Sequence, residues 1–233
     1  MNQPVLFQKL ALFPILIGLT VATFPGQPAA AQMFKPPGAE APGTSKGGGT
    51  RTDTMCMGTT DSKSVIPLLP TTQIGFTTST HPTLLVYFPP SEIKQVFFSL
   101  KDEAGNHYYQ TQFAAPQGSG IMPIRFPQEA PDLEVGKKYM WSLALVCGSQ
   151  LEPDSPTITG WVERRAASDL NGSVIPSLQQ ASSLGQAGLW YDMIGVLAQL
   201  RKNQPDDSSL IRLWKTELTS AGLEAIADKP LLD

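Results

Sequence analysis

The sequence predicts a mainly β chain: an antiparallel sandwich capped at its C-terminal end by a helical hairpin, α+β overall. Three observations carry this. Between residues 65 and 165, short runs rich in β-branched and aromatic residues alternate with turns bearing Gly, Pro and Asp at near-regular spacing. In residues 139–147 the large side chains Tyr139, Trp141, Leu143 and Leu145 fall on every second position, the period of a strand with one buried face. After about Ala166 the apolar spacing lengthens to the helical period.

The 233 residues are 41% hydrophobic, enough apolar material for a sizeable core. A formal charge of −3 lacks the basic footprint of a nucleic-acid binder, so no nucleic-acid partner is expected. With two His and two Cys and no C-x-x-C pair, a closed zinc site would need carboxylates, and no metal or cofactor is expected. Residues 1–31 read as a signal peptide. Lys9 precedes the apolar run LALFPILIGLTVATF, and Pro25-Gly26 and the small triplet ending at Ala31 follow, with cleavage before Gln32. The run is short for a membrane span, so none is expected to remain after cleavage. The chain is therefore read as exported, periplasmic or extracellular. In an oxidising compartment its two cysteines are expected to form one disulfide, Cys56–Cys147, two separately buried thiols being the alternative.

Residues 32–54 are rich in Gly and Pro with almost no large apolar side chain, and are expected to be a disordered tether. Their Gly-rich stretch lacks the Gly-Lys-Ser/Thr ending of a phosphate loop. The sandwich domain is assigned to residues 55–165. Its strands are one or two within 65–76, then 83–88, 94–101, 107–113, 121–126, 138–147 and 157–164, Pro123 marking the fifth of these as an edge or bulge. By parity Trp141 and Cys147 point into the core together. Leu133, Gly136 and Tyr139 are spaced as in the tyrosine corner of immunoglobulin-like and fibronectin type III-like sandwiches, where the hydroxyl ties back to the preceding loop. The spacing supports that architecture and no particular activity.

Residues 166–233 are assigned as a helical region packed on the sandwich. A weak helix over 173–186 precedes a strong one over 189–202, where Trp190, Met193, Ile194, Leu197 and Leu200 form a stripe. Asp206 or Asp207 then caps a third, over 210–220, which Gly222 stops. The segment from Gly188 to Pro205 resembles the second half of a tetratricopeptide repeat, but Met193 stands where that repeat has Ala. A single imperfect unit predicts a cap rather than a partner-binding array.

Taken in order, GGGTR at 47–51, Cys56, Pro67-Leu-Leu-Pro70, Gly75-Phe-Thr-Thr, His81-Pro82, Tyr87-Phe-Pro, the 133–141 corner with Cys147, Gly160-Trp-Val-Glu-Arg164 and Gly188-Leu-Trp-Tyr-Asp192 resemble the exported cyanobacterial family known as domain of unknown function 928. The resemblance implies an envelope or extracellular protein, and it carries over no catalytic residue.

No motif specifies a reaction. Gly-x-Ser-x-Gly is absent, and His81 reads as a loop residue ahead of Pro82. Tyr108, Trp161 and Arg164 are a candidate ligand platform, two outward aromatics rimmed by a cation. The expected function is a non-enzymatic binding or structural module whose partner is an envelope protein or polysaccharide. The alternative is an envelope hydrolase acting on a polysaccharide or lipid, with His81 and nearby carboxylates.

Overall fold

The computed structural model describes residues 32–38, 42, 64–167 and 175–233. Residues 1–31, where a signal peptide is expected, lie outside these, as do Cys56, nearly all of 39–63, and 168–174. Eight strands form two sheets: β1 (Ile66–Pro67), β2 (Ile74–Thr77), β3 (Thr83–Phe88), β4 (Gln95–Asp102), β5 (His107–Ala114), β6 (Gly120–Arg125), β7 (Lys138–Val146) and β8 (Thr157–Arg164). One sheet has the order β1-β3-β6, the other β2-β8-β7-β4-β5. All pairs are antiparallel except β2, which runs parallel to β8. Pro123 sits in β6, an edge strand, where its missing N–H interrupts no ladder on the outer side.

The inner faces follow the strand period. Tyr139, Trp141, Leu143 and Leu145 of β7 and Val96, Phe98 and Leu100 of β4 are at most 1% exposed and face Leu84, Val86 and Ile124 of the smaller sheet in one core. Cys147 stands one residue past the end of β7, half-buried against this core. The partner expected for it, Cys56, is outside the described residues.

Three helices follow: α1 (Leu178–Gln186), α2 (Trp190–Asn203) and α3 (Ser208–Ser220). Ser177 caps α1 through Gln180 N–H, and Asp207 caps α3 through Ser209 and Leu210 N–H. Gly188 and Gly222 adopt φ of +74° and +75°, the left-handed turn that ends a helix and that a side chain resists. Helix α2 packs on β2 and β3, one strand from each sheet, and so joins the two layers. Its Tyr191 hydroxyl donates to Trp161 O (2.9 Å) and accepts from Trp141 Nε1 (2.9 Å), while Trp190 Nε1 donates to Leu68 O (2.8 Å). Gly75 makes room for this contact, since a Cβ there would lie 2.4 Å from Tyr191 Cε2. The C-terminal region is not wholly helical. Residues 230–232 run back along β6, with Ile121 N–H bonded to Pro230 O and Leu232 N–H to Ile121 O.

The expected tether requires a correction at its start. Residues 32–38 pack on the helices, with Phe34 only 6% exposed and its ring edge-on to Trp190 at 4.8 Å. Burial of Met33 and Phe34 against helices and two backbone anchors, described below, offset the ordering entropy that the surrounding Gly and Pro cannot.

Candidate functional site

The residues predicted for the corner and the ligand platform converge, with one exception, on the loop 130–137 between β6 and β7. Leu133 is fully buried and anchors it. Gly136 takes a φ of +79°, open to Gly without strain, and donates its N–H to Arg164 O (2.7 Å). The Tyr139 hydroxyl, from the buried face of β7, accepts from Glu134 N–H at 3.2 Å. Arg164 reaches across from β8, its Nη1 donating to Leu133 O (2.6 Å) and its Nε to Thr78 O (3.3 Å). From β5, the Tyr108 hydroxyl donates to Asp132 O (2.7 Å), and its ring packs on Tyr139 at 4.7 Å. Burial, reinforced by Tyr139, pushes the Tyr108 phenol up to about 12, so it remains a donor throughout the physiological range.

His81 holds the same loop from the other side. Its Nε2 lies 2.8 Å from Ala130 O, an acceptor, so this nitrogen carries the proton. In the neutral ring Nδ1 then accepts from Thr80 Oγ1 at 3.0 Å, and Asp132 Oδ1 is 3.5 Å away. Both ring nitrogens are thereby engaged in loop fixation. Leu133 N–H also bonds to Thr80 O (3.2 Å). The tip is left outside: Val135 is 53% exposed.

The clamp extends to the helices through Asp192 in the first turn of α2. Its carboxylate accepts from Thr77 Oγ1 (2.5 Å), Thr78 N–H (2.8 Å) and Thr78 Oγ1 (2.8 Å), fixing the end of β2 whose Thr78 carbonyl receives Arg164. Burial pushes the Asp192 carboxyl up, and the three donors oppose that shift.

Trp161 is the exception and corrects the predicted platform. It pairs with Met140 and Ile74, is 7% exposed, and gives its carbonyl to Tyr191. Three strand spacings separate its strand from that of Tyr108, roughly 14 Å. Tyr108 and Trp161 share no surface, and Arg164 serves the corner loop rather than a ligand rim.

Two concavities flank the clamped loop and the sandwich edge. A polar cleft of about 330 Å³ beside the corner is lined by Asp102, Glu103, Tyr108, Glu134, Lys137 and Lys138. Asn106 holds the exposed Asp102 carboxyl below its ordinary range through its side-chain amide and backbone N–H, and the Glu134 carboxylate raises the exposed Lys137 ammonium. An apolar cleft of about 230 Å³ between the edge strands β5 and β6 is lined by Phe98, Phe113, Met122 and Ile124, with Thr111 and Arg125 at hand. Among the described residues no three His, Cys, Asp or Glu side chains gather as metal ligands would. No described helix is long and apolar enough to cross a membrane.

Sequence reasoning missed Asp192, Thr77 and Thr78 at the clamp. The signals present were the two family motifs that contain them, Gly75-Phe-Thr-Thr and Gly188-Leu-Trp-Tyr-Asp192, and an acid in the first turn of a helix, which ordinarily marks a favourable interaction with the helix dipole; none of these says that the three side chains meet. It also missed Asp132, which acts through its carbonyl, an atom that every residue type offers.

No curated protein matches the chain. The family model described as Domain of Unknown Function (DUF928) matches residues 46–231, which takes in the sandwich, the clamped loop and the helices, and the chain belongs to that family.

Proposed function

We propose that the protein is an exported, non-enzymatic binding module whose recognition element is the loop 130–137 together with the polar cleft beside it. One observation carries the reading: side chains from four separate places in the chain, His81, Tyr108, Tyr139 and Arg164, immobilise a surface loop whose tip stays exposed. A loop ordered before it meets its ligand loses less entropy on binding, which is the usual advantage of a site carried on a rigid scaffold. The tyrosine-to-backbone tie supports placing the sandwich among the immunoglobulin-like and fibronectin type III-like architectures. The cleft's three carboxylates and two lysines suit a polar partner, an envelope polysaccharide or the polar face of an envelope protein. The hydrolase alternative would have to use the one hydroxyl that His81 meets, Thr80 Oγ1 at Nδ1, while Nε2 is tied to the Ala130 carbonyl rather than to an orienting carboxylate.

The test is a titration of the isotope-labelled protein with peptidoglycan and lipopolysaccharide oligosaccharides, following protein amides and ligand resonances together. Saturable shifts at residues 102–108 and 130–138, with the ligand's covalent structure unchanged, support the proposal. Conversion of the ligand, abolished by His81→Ala, overturns it in favour of the hydrolase.

A further inference from the structure

The packed start of the chain defines a second site. Residues 33–37 lie extended across all three helices. Met33 and Phe34 N–H donate to the two carboxylate oxygens of Glu217 on α3, at 2.5 and 3.1 Å, and Lys35 N–H donates to Gly185 O at the end of α1, at 3.0 Å. Phe34 fills the space against Trp190 at the start of α2. The helices are shaped for this segment. A Cβ on Gly185 would come within 2.8 Å of Met33 O, and one on Gly188 within 3.1 Å of Pro37. Glu217 is itself 0% exposed, and the two amides are the hydrogen-bond partners its carboxylate has there. A charged side chain so deeply buried is tolerated only when donors meet it, so the helical face is incomplete without an extended segment in it.

We propose that this groove is a segment-exchange site, in which residues 32–37 of one copy seat in the groove of a second copy when its own segment leaves. The partner is fixed by what the groove reads: two consecutive backbone amides for the carboxylate, an aromatic ring for the Trp190 face, and two prolines that keep the segment extended past Gly188. This chain carries that combination twice, at 33–37 and at 86–90, but Val86, Tyr87 and Phe88 are buried in strand β3, which leaves 33–37 as the segment able to fill the groove. The roughly 25 residues joining the segment to the sandwich span at most about 85 Å when extended, enough to reach a neighbour's groove as well as the chain's own. At low concentration the covalent link favours the chain's own groove, because it supplies an effective concentration of about 1 mM. A latch closed about 99% of the time at that effective concentration corresponds to a Kd of about 10 µM between copies.

The test uses complementary defects, each made in the full chain. Phe34→Ala spoils the segment and leaves the groove intact. Glu217→Ala spoils the groove and leaves the segment intact. Sedimentation at about 50 µM should find each variant alone monomeric and the equimolar mixture forming a one-to-one dimer. A mixture that stays monomeric, with both variants melting cooperatively, overturns the proposal. Should either variant fail to fold, hydrogen exchange of the wild type decides: exchange of the Met33 and Phe34 amides well ahead of the α2 amides is the expected result. Exchange of these amides only on global unfolding would make the segment a permanent core element and overturn the proposal.

Discussion

Replacing Asp192 separates the structural role of a buried carboxylate from its charge. In the wild type, three buried or part-buried donors from Thr77 and Thr78 converge on it. Asp192→Ala removes the acceptor for all three. Orphaned donors cost about 1–3 kcal/mol each, roughly 3–9 together. Relief from burying an ionised group offsets several kcal/mol, which leaves a net loss of about 2–4 kcal/mol. Asp192→Asn behaves differently. Its carbonyl can still accept from the Thr78 pair, and its amide can donate to Thr77 Oγ1 once that hydroxyl turns, so the expected loss is about 1 kcal/mol. The charge shows itself in pH dependence. Because burial raises the folded-state pKa of Asp192, the folded chain keeps this proton longer than the unfolded one. The ionisation therefore lowers stability as pH rises from the unfolded carboxylate pKa, about 4, through the raised folded value, and the effect levels off above it. Urea midpoints of the wild type minus those of Asp192→Asn should fall with pH across that window. A difference that rises with pH would mean that the donors outweigh desolvation and would refute the reasoning. So would an Asp192→Ala variant within about 0.5 kcal/mol of wild type, below the usual loss for even one orphaned donor.

Tyr139→Phe should lose about 1–3 kcal/mol, because the part-buried tie between Glu134 N–H and the hydroxyl of the buried Tyr139 goes unmade; unchanged denaturant midpoints would argue against the corner as a stabilising device. Gly75→Ala places a Cβ 2.4 Å from the Tyr191 ring and should cost about 1–3 kcal/mol by forcing α2 off β2, seen as a melting temperature lowered by several degrees. His81→Ala should leave the global midpoint within about 2 kcal/mol, the scale of one or two lost hydrogen bonds, while amide exchange accelerates at Leu133. Equal protection of Leu133 in both proteins would show that the other ties suffice without His81.

The parts of the fold that are legible in the sequence are those governed by local physics. The period of two across Tyr139, Trp141, Leu143 and Leu145 follows from pleating, and all four are buried. Asp207 caps α3 because a short acceptor before an apolar stripe meets free amides. Gly136 in the corner and Gly222 after α3 stand where the backbone must turn with positive φ. What escapes the sequence depends on distant partners. Trp161 lies on the opposite parity from Val162 in β8, which reads as an outward face, and nothing local shows that this face is covered. Phe34 is a lone aromatic among Gly and Pro, and its partners Trp190 and Glu217 come more than 150 residues later. The parallel pairing of β2 with β8 is likewise a non-local choice that short-range patterning does not encode. At the candidate site, residue types point to Tyr108 and Arg164 as polar groups of interest. Their use is set by which backbone carbonyls the fold brings to them, Asp132 and Leu133.

The account rests on the loop 130–137 being ordered before any ligand arrives, and nitrogen-15 relaxation of the free protein measures this directly. Backbone order parameters near 0.85 from Leu133 to Lys137, equal to those of β7, are predicted, with a fall in the His81→Ala variant. Values below about 0.6 across the loop in the wild type would contradict the account, because a mobile loop cannot be the preformed recognition element.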